Sequence, residues 1–259
     1  MRAPERLIEE CAAQWNLTLE ARVGSGPSLV LPAGDAVLKL VPAYDREAAG
    51  EADALERWAG VGAVRLLARD DERNALLLER CRPGDLAWDD GNDWLAVVED
   101  VLPRLPHDPG PDHPFPLLVD EAKRWAGQVS AAYEAAGAPF ERSLLDFALD
   151  VFASVDPGAG LLVNQDLHGA NIHRAEREPW LAIDPKPLVG EREIDGVGLL
   201  RNAAWRGIAT DCLDLLGDLG YDRERSRAWG VAHALAWGHE PGTGWSEQHL
   251  AAARAIRAA

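Results

Sequence analysis

Two aspartates and one asparagine within residues 161–188 have the types and the spacing that phosphoryl transfer requires. Asp166 lies five positions before Asn171, and Asp184 lies thirteen positions after it. Transfer from a nucleotide needs one carboxylate to accept the hydroxyl proton, with an amide oxygen and a second carboxylate to hold Mg²⁺. The first pair alone is a weak signal, because Asp and Asn also favour turns. The aspartate that ends the following apolar run makes the pattern more specific, and it indicates phosphoryl-transfer chemistry.

The stretch that carries these residues predicts a short hairpin. Apolar runs at residues 161–163 and 180–183 flank a polar loop at residues 167–171. Short apolar runs bounded by polar turns are typical of strands. Within the loop, His168 is expected to shape the backbone, because Asp166 already supplies the carboxylate. We also count His168 among the candidate contacts to the acceptor.

The motif D-L-H-G-A-N, followed by I-D-P, resembles the catalytic and metal loops of the aminoglycoside phosphotransferases, small-molecule relatives of the protein kinases. The continuation A-E-R-E-P-W-L-A-I-D-P-K-P-L-V-G at residues 175–190 narrows the resemblance. It is similar to the streptomycin 6-kinase branch, also described as aminoglycoside/hydroxyurea resistance kinases. The resemblance covers about residues 17–202.

This resemblance implies a role for each of the three residues. Asp166 would be the catalytic base, and Asn171 and Asp184 would be the metal ligands. One departure from the family pattern concerns the two positions before the base. The family commonly has a pair such as His-Gly there, whereas this chain has Asn164 and Gln165. The departure keeps the base but changes what orients it.

Upstream, a series of short apolar segments predicts a five-stranded sheet. The segments are residues 17–23, 29–31, 36–41, 64–68 and 75–78. The turn Gly24-Ser25-Gly26 joins the first two segments. A glycine turn allows backbone N–H groups to approach a triphosphate, although the same residues are also typical of an ordinary hairpin turn.

Lys39 lies inside the third apolar segment, where a charge is costly unless it is paired. The kinase interpretation places Lys39 on the α- and β-phosphates; the alternative is a lysine that faces solvent. Its partner would be a carboxylate on a helix predicted over residues 44–59. Glu47 and Glu51 lie on the same face of that helix. The residues after Glu51 fit the family better, so we favour Glu51 and keep Glu47 as the alternative.

A hinge is predicted where the last strand meets the breaker pair Pro83-Gly84. Backbone groups around Glu79 and Cys81 would contact the adenine ring there.

The fold implied by the resemblance is α+β, two-lobed and protein-kinase-like. Residues 1–82 would form the N-terminal lobe, with its sheet and one helix. Residues 83–259 would form the helical lobe that carries the catalytic and metal loops. ATP and Mg²⁺ would bind between the two lobes.

Composition narrows the class of partner. The 259 residues carry a formal net charge of −17, which argues against binding to nucleic acid or to an anionic membrane. The same charge would attract a small cationic hydroxylated substrate, although acidic residues also serve solubility. Asp85 and Asp89 begin an acidic segment that is either a solvated face or one wall of a cationic cleft. Glu193 is a further candidate substrate contact. Asp195 is expected mainly to brace the catalytic loop, and is kept among the substrate candidates.

Three scattered cysteines, Cys11, Cys81 and Cys212, have no metal-ligand spacing. Their odd number and dispersion are typical of a reduced intracellular protein. The sequence has no apolar run of membrane-spanning length and no basic-then-apolar amino-terminal segment. We therefore expect a cytoplasmic protein, as a monomer or a weak dimer.

Three functions stay open at this point. The first is a kinase of an aminoglycoside or aminocyclitol such as streptomycin. The second is a kinase of an amino sugar such as glucosamine, or of another small metabolite. The third is a nucleotide-binding pseudokinase that acts as a scaffold. The presence of Lys39, Asp166, Asn171 and Asp184 counts against the third.

Overall fold

A four-stranded antiparallel sheet forms the amino-terminal part of the chain in the computed structural model, which describes residues 4–24, 26–42, 44, 50–240 and 244–259. The strand order is β1-β2-β4-β3. The strands are β1 (Leu29–Ala33), β2 (Ala36–Leu40), β3 (Leu66–Asp70) and β4 (Ala75–Glu79). The expectation of a fifth strand at residues 17–23 is wrong. Only Val23 forms a bridge there, to Val30, and the apolar alternation instead reflects packing of Leu17 and Leu19 into a small core.

Two helices cover the sheet and define two cores. Helix α1 (Pro4–Gln14) contributes the buried Cys11 to a small cluster that also contains Leu38 and Leu40 of β2. Helix α2 (Glu51–Trp58) belongs to the main core of the molecule. Because side chains alternate along a strand, Lys39 points away from the face that holds Leu38 and Leu40. The hydrophobic pattern of β2 therefore directs this lysine to the cleft side of the sheet.

The carboxy-terminal part of the chain is mainly helical. Trp125 and Trp229 lie fully inside its core. The helices are α3 (Trp94–Val101), α4 (Leu118–Ala135), α5 (Arg142–Ala153), α6 (Val197–Trp205), α7 (Ala209–Asp218), α8 (Arg223–Ala236) and α9 (Glu247–Ala258). None of the described helices combines the length and the apolar character needed to cross a lipid bilayer.

The predicted single hairpin is instead a pair of nested two-stranded ribbons. Strand β5 (Leu161–Asn164) pairs with β8 (Pro187–Gly190), and β6 (Ile172–Arg174) pairs with β7 (Trp180–Ala182). The two loops between the ribbons therefore run side by side, one from β5 to β6 and one from β7 to β8. This nesting brings Asp166 and Asp184 together. The short strands β9 (His239–Glu240) and β10 (Gly244–Trp245) form a separate ribbon near the last helix.

The two nested ribbons, β5–β8 and β6–β7, contact the amino-terminal sheet. Strand β7 exchanges backbone hydrogen bonds with the segment before β3, since Ala182 N donates to Gly62 O and Val64 N donates to Ala182 O. Arg177, in the turn between β6 and β7, donates to both carboxylate oxygens of Glu79 at 2.9 and 3.0 Å. It also donates to the carbonyls of Gly60 and Ala63. One guanidinium thus joins the catalytic region to the sheet.

We expect Arg177→Met to lower the free energy of unfolding by about 2–3 kcal/mol, because it leaves Glu79 and two carbonyls without their charged donor. Urea denaturation monitored by tryptophan fluorescence measures the change. Arg142→Met is the matched control, since Arg142 forms only an exposed pair with Asp146 on one helix. Equal stabilities for the two variants would show that Arg177 does not join the two regions.

Candidate active site

The cleft between the sheet and the catalytic ribbons contains a chain of three charged groups. Lys39 Nζ donates to Glu51 Oε2 at 2.6 Å and to Asp184 Oδ1 at 2.8 Å. Lys39 and Glu51 are both buried. Glu51 is the first residue of α2, which places its carboxylate beneath β2. The alternative partner, Glu47, lies outside the described residues.

The environment sets the protonation of this chain. Burial raises the pKa of Glu51 to about 7, and the Lys39 charge opposes that shift. Burial also disfavours the charged form of Asp184, but Lys39 and Lys186 outweigh it and hold the pKa of Asp184 below its usual value. Burial tends to lower the pKa of Lys39, but Glu51 and Asp184 raise it above its usual value. A protonated lysine and an ionised Asp184 therefore face each other at neutral pH.

The carboxylate of Asp166 is buried and held mainly at one oxygen. Asn171 Nδ2 and Lys186 Nζ each donate to Asp166 Oδ2 at 3.1 Å. Asp166 Oδ1 lies 3.4 Å from His168 Nε2 and has no hydrogen-bond partner within the described residues. The His168 ring is oriented by Ala170 N, which donates to Nδ1, and burial lowers the pKa of this histidine. Oδ1 is thus the oxygen left to receive an acceptor hydroxyl.

Asn164, one of the two residues that depart from the family pattern, connects the two loops. Its side-chain Oδ1 accepts hydrogen bonds from Asp166 N at 3.1 Å and from Lys186 N at 3.0 Å. Its own backbone N donates to Asp195 Oδ1 at 2.6 Å. The other oxygen of Asp195 lies 2.7 Å from His107 Nε2. At the positions where the family commonly has a pair such as His-Gly, this chain therefore has a buried amide, Asn164, that orients Asp166.

Lys186 is the functional residue that the sequence analysis missed. The sequence indicated Lys186 only as part of the family motif at residues 175–190. Its ammonium lies 3.1 Å from Asp166 Oδ2 and 4.0 Å from Asp184 Oδ1. The available signal was a lysine between two prolines, directly after the apolar run that ends in an aspartate.

Asn171 and Asp184 fit a Mg²⁺ ion that nucleotide phosphates would help to coordinate. Ile183 N donates to Asn171 O at 2.9 Å, which joins the two loops beside these side chains. Because Asn171 Nδ2 donates to Asp166, the amide oxygen is the atom left for a cation. Mg²⁺ is usually held by one or two carboxylates together with phosphates and water. No group of three or more His, Cys, Asp or Glu suited to a metal occurs within the described residues, in keeping with so sparse a protein shell.

A cavity of about 520 Å³ adjoins this charged end of the cleft. Its walls include the apolar side chains of Val37, Val64, Leu78 and Ile183, which suit a flat aromatic ring. Lys39 and Asp184 lie on the same cavity, so it is continuous with the charged chain.

The glycine turn lies at the mouth of this cavity. Gly24 and Gly26 line it, and Gly24 has a φ of 75°, a conformation that favours glycine. Ser25 lies outside the described residues.

The predicted hinge residues line the cavity without presenting a free charged group. The Glu79 carboxylate is held by Arg177, and burial raises the pKa of Cys81 to about 12. Glu79 N is also engaged, since it donates to Arg65 O at 2.9 Å, so Glu79 lines the cavity with neither a free carboxylate nor a free backbone N–H.

The family model described as aminoglycoside/hydroxyurea antibiotic resistance kinase matches residues 15–235. The chain belongs to this family. It is 38% identical to the hydroxyurea phosphotransferase of Kitasatospora aureofaciens, over 88% of this chain and 70% of that protein. It is 35% identical to the streptomycin 6-kinase of Streptomyces glaucescens, over 92% of this chain and 83% of that protein. The predicted family is confirmed, and this chain is a small-molecule kinase rather than a scaffold.

Solved structures confirm the kinase-like fold of this resistance kinase. The choline kinase LicA from Streptococcus pneumoniae superposes with a TM-score of 0.68 at 12% identity, over 98% of this chain and 99% of that one. A ternary complex of streptomycin, ATP and the aminoglycoside phosphotransferase APH(2″)-IIa gives a TM-score of 0.61 at 13% identity, over 90% of each chain. At these identities the likeness shows the fold alone.

The acidic residues expected at the acceptor site of this kinase differ in their exposure and in their contacts. Asp89 Oδ2 accepts from Leu86 N within its own loop, and Asp85 is exposed. Glu193 Oε1 accepts from Asp222 N. Asp195 is almost fully buried with both oxygens engaged, so it is a structural brace and its place among the substrate contacts is wrong. Of the predicted acceptor contacts, only His168 lies beside the catalytic carboxylate.

We expect Asn164→Leu to lower kcat by about 100-fold, because the loss of the shared acceptor releases both loops from their relative position. Asn164→Asp retains an oxygen acceptor and should keep more of the turnover than Asn164→Leu. Steady-state kinetics with the best acceptor test this order, and circular dichroism checks the fold of each variant. Full activity in the leucine variant would remove Asn164 as the orienting group.

Proposed function

We propose that this kinase transfers the γ-phosphoryl group of ATP to a hydroxyl group of streptomycin or a related aminocyclitol. The observation that carries the proposal is a connected set of polar contacts: Asn171 Nδ2 and Lys186 Nζ donate to Asp166 Oδ2, and Lys39, which lines the cavity with Asp184 and Lys186, donates to Asp184 Oδ1. The named streptomycin 6-kinases among the relatives, at 34–35% identity over most of the chain, support the acceptor class.

Each group has a task in this reaction. The acceptor hydroxyl donates to Asp166 Oδ1 and is aligned with the γ-phosphorus. A bond forms from the acceptor oxygen to phosphorus as the bond from phosphorus to the β–γ bridging oxygen breaks, and that electron pair leaves with ADP. The hydroxyl proton passes to Asp166. Positioning and charge stabilisation carry most of the rate effect in such transfers.

The nucleotide side of the reaction falls to the other charged groups. Lys39, held by the buried Glu51, would contact the α- and β-phosphates. Asn171 and Asp184 would hold Mg²⁺, which supplies neutralising charge to the phosphates when bound. Because Lys39 already donates to Glu51 and Asp184, it needs little reorganisation when the nucleotide binds.

Hydroxyurea is the second candidate acceptor. The relative that bears this activity in its name is 38% identical to the chain. Two residues of the acidic wall expected for a polycationic acceptor are also engaged by the protein itself, since Asp89 accepts from Leu86 N and Glu193 accepts from Asp222 N. A small neutral hydroxyl compound needs no such wall.

A panel of acceptors separates these candidates and the amino-sugar alternative. We expect streptomycin to raise ADP release by the purified protein in ATP and Mg²⁺ well above the rate without acceptor. Hydroxyurea, kanamycin and glucosamine are tested beside it, and phosphorylated product is identified by mass spectrometry. Stimulation by hydroxyurea alone would replace streptomycin by the second candidate, and stimulation by glucosamine alone would overturn both.

We expect Asp166→Asn to lower kcat about 100- to 10,000-fold, because the amide orients a hydroxyl but cannot take its proton. Nucleotide binding, measured by calorimetry, should stay close to that of the unaltered protein, since Asp166 does not hold the phosphates. Asp89→Asn is the control, because that carboxylate caps only its own loop. Unchanged turnover in Asp166→Asn would remove this residue as the base.

A further inference from the structure

We propose that Lys186 is a catalytic residue that binds the transferred phosphoryl group, an inference that rests on the proposed function. Its ammonium stands between the two carboxylates that bracket the reaction, 3.1 Å from Asp166 Oδ2 and 4.0 Å from Asp184 Oδ1. It also lines the nucleotide cavity. From this position the ammonium would contact a phosphoryl group that passes from the nucleotide to an acceptor hydroxyl at Asp166.

The backbone around Lys186 is held before any ligand arrives. Pro185 and Pro187 restrict φ on either side of it. Lys186 N donates to Asn164 Oδ1 at 3.0 Å, and its carbonyl accepts from Gln165 N at 3.2 Å. The side chain is only 15% exposed. A cation fixed in this way stabilises developing charge without reorganising during the reaction.

The residue type supports the assignment. Only three of the 26 Lys and Arg residues are lysines, and two of those three, Lys39 and Lys186, lie in this cleft. A lysine ammonium is a compact point charge that fits between two carboxylates, whereas the planar guanidinium of arginine needs a wider fork of acceptors. The site therefore contains two small cations, although most of the cationic residues of the chain are arginines.

During transfer the negative charge spreads over the three equatorial oxygens of the phosphoryl group. Lys186 would donate to one of these oxygens while it stays protonated. The acceptor oxygen gains the bond to phosphorus, the bridging oxygen keeps the electron pair of the broken bond, and Asp166 receives the hydroxyl proton. Lys186 thus contributes charge and no proton.

The competing role is that of a counter-ion, in which Lys186 only stabilises the buried carboxylate of Asp166 and the partly exposed one of Asp184. The two roles differ in their response to the γ-phosphate. If Lys186 is only a counter-ion, its loss would change the affinities for ATP and ADP equally, or it would lower the stability of the protein. A phosphoryl ligand would favour the triphosphate and the transfer step.

The test compares Lys186→Met and Lys186→Arg with Lys123→Met, whose lysine forms only an exposed pair with Asp120. Calorimetry measures the affinity of each full-length protein for a non-hydrolysable ATP analogue and for ADP, with Mg²⁺ present. We expect Lys186→Met to lower the ratio of these two affinities at least about 10-fold, the size of a lost hydrogen bond to a charged group. Its kcat should fall about 100- to 1,000-fold. Lys186→Arg should recover part of both, and Lys123→Met should change neither.

An unchanged affinity ratio in a folded Lys186→Met protein would overturn the assignment, as would a loss of thermal stability with normal kcat. A failure of the proposed function has a different signature: the unaltered protein would bind no ATP or phosphorylate none of the acceptors. The affinity ratio needs no acceptor, so it tests Lys186 even if the acceptor is neither streptomycin nor hydroxyurea.

Discussion

The active region depends on the compensation of buried charge. Glu51 and Asp166 are buried, Asp184 is partly exposed, and the ammonium groups of Lys39 and Lys186 lie among the three carboxylates. An unpaired charge at such a depth is costly, whereas a network of short contacts offsets the loss of hydration. Each group in this network therefore has a defined position before any ligand binds.

The nested ribbons and the side-chain amide of Asn164 fix the positions of these groups. Strands β5 and β8 pair outside, β6 and β7 pair inside, and the two connecting loops are forced to run together. Asn164 Oδ1 then joins the loops through two backbone N–H groups. Asp195 and His107 continue the chain of contacts behind it. Asp166 is thus oriented by contacts that continue into the core of the helical region.

The sequence supported the predictions that depend on local pattern. Lys39 in an apolar strand indicated a need for a compensating charge, and the resemblance to the kinases favoured Glu51 over Glu47 as its partner. The spacing of Asp166, Asn171 and Asp184 indicated a shared site. The prediction of a fifth strand is wrong, because alternation at residues 17–23 indicates one buried face but does not identify a strand to pair with. The single hairpin failed for a related reason, since apolar runs do not reveal which strands pair.

By itself the sequence determined the family and the residue types of the candidate active site, because a local motif carries them, and the resemblance to that family implied the kinase-like fold. Only the tertiary structure decided what those residues contact. It showed that Lys186 approaches a carboxylate twenty positions away, and that Asp195 supports the site from inside the core. It also showed that Asp89 accepts a hydrogen bond from Leu86 N and that Glu193 accepts one from Asp222 N. Contacts between distant segments depend on strand pairing and packing, and no local spacing in the chain encodes them.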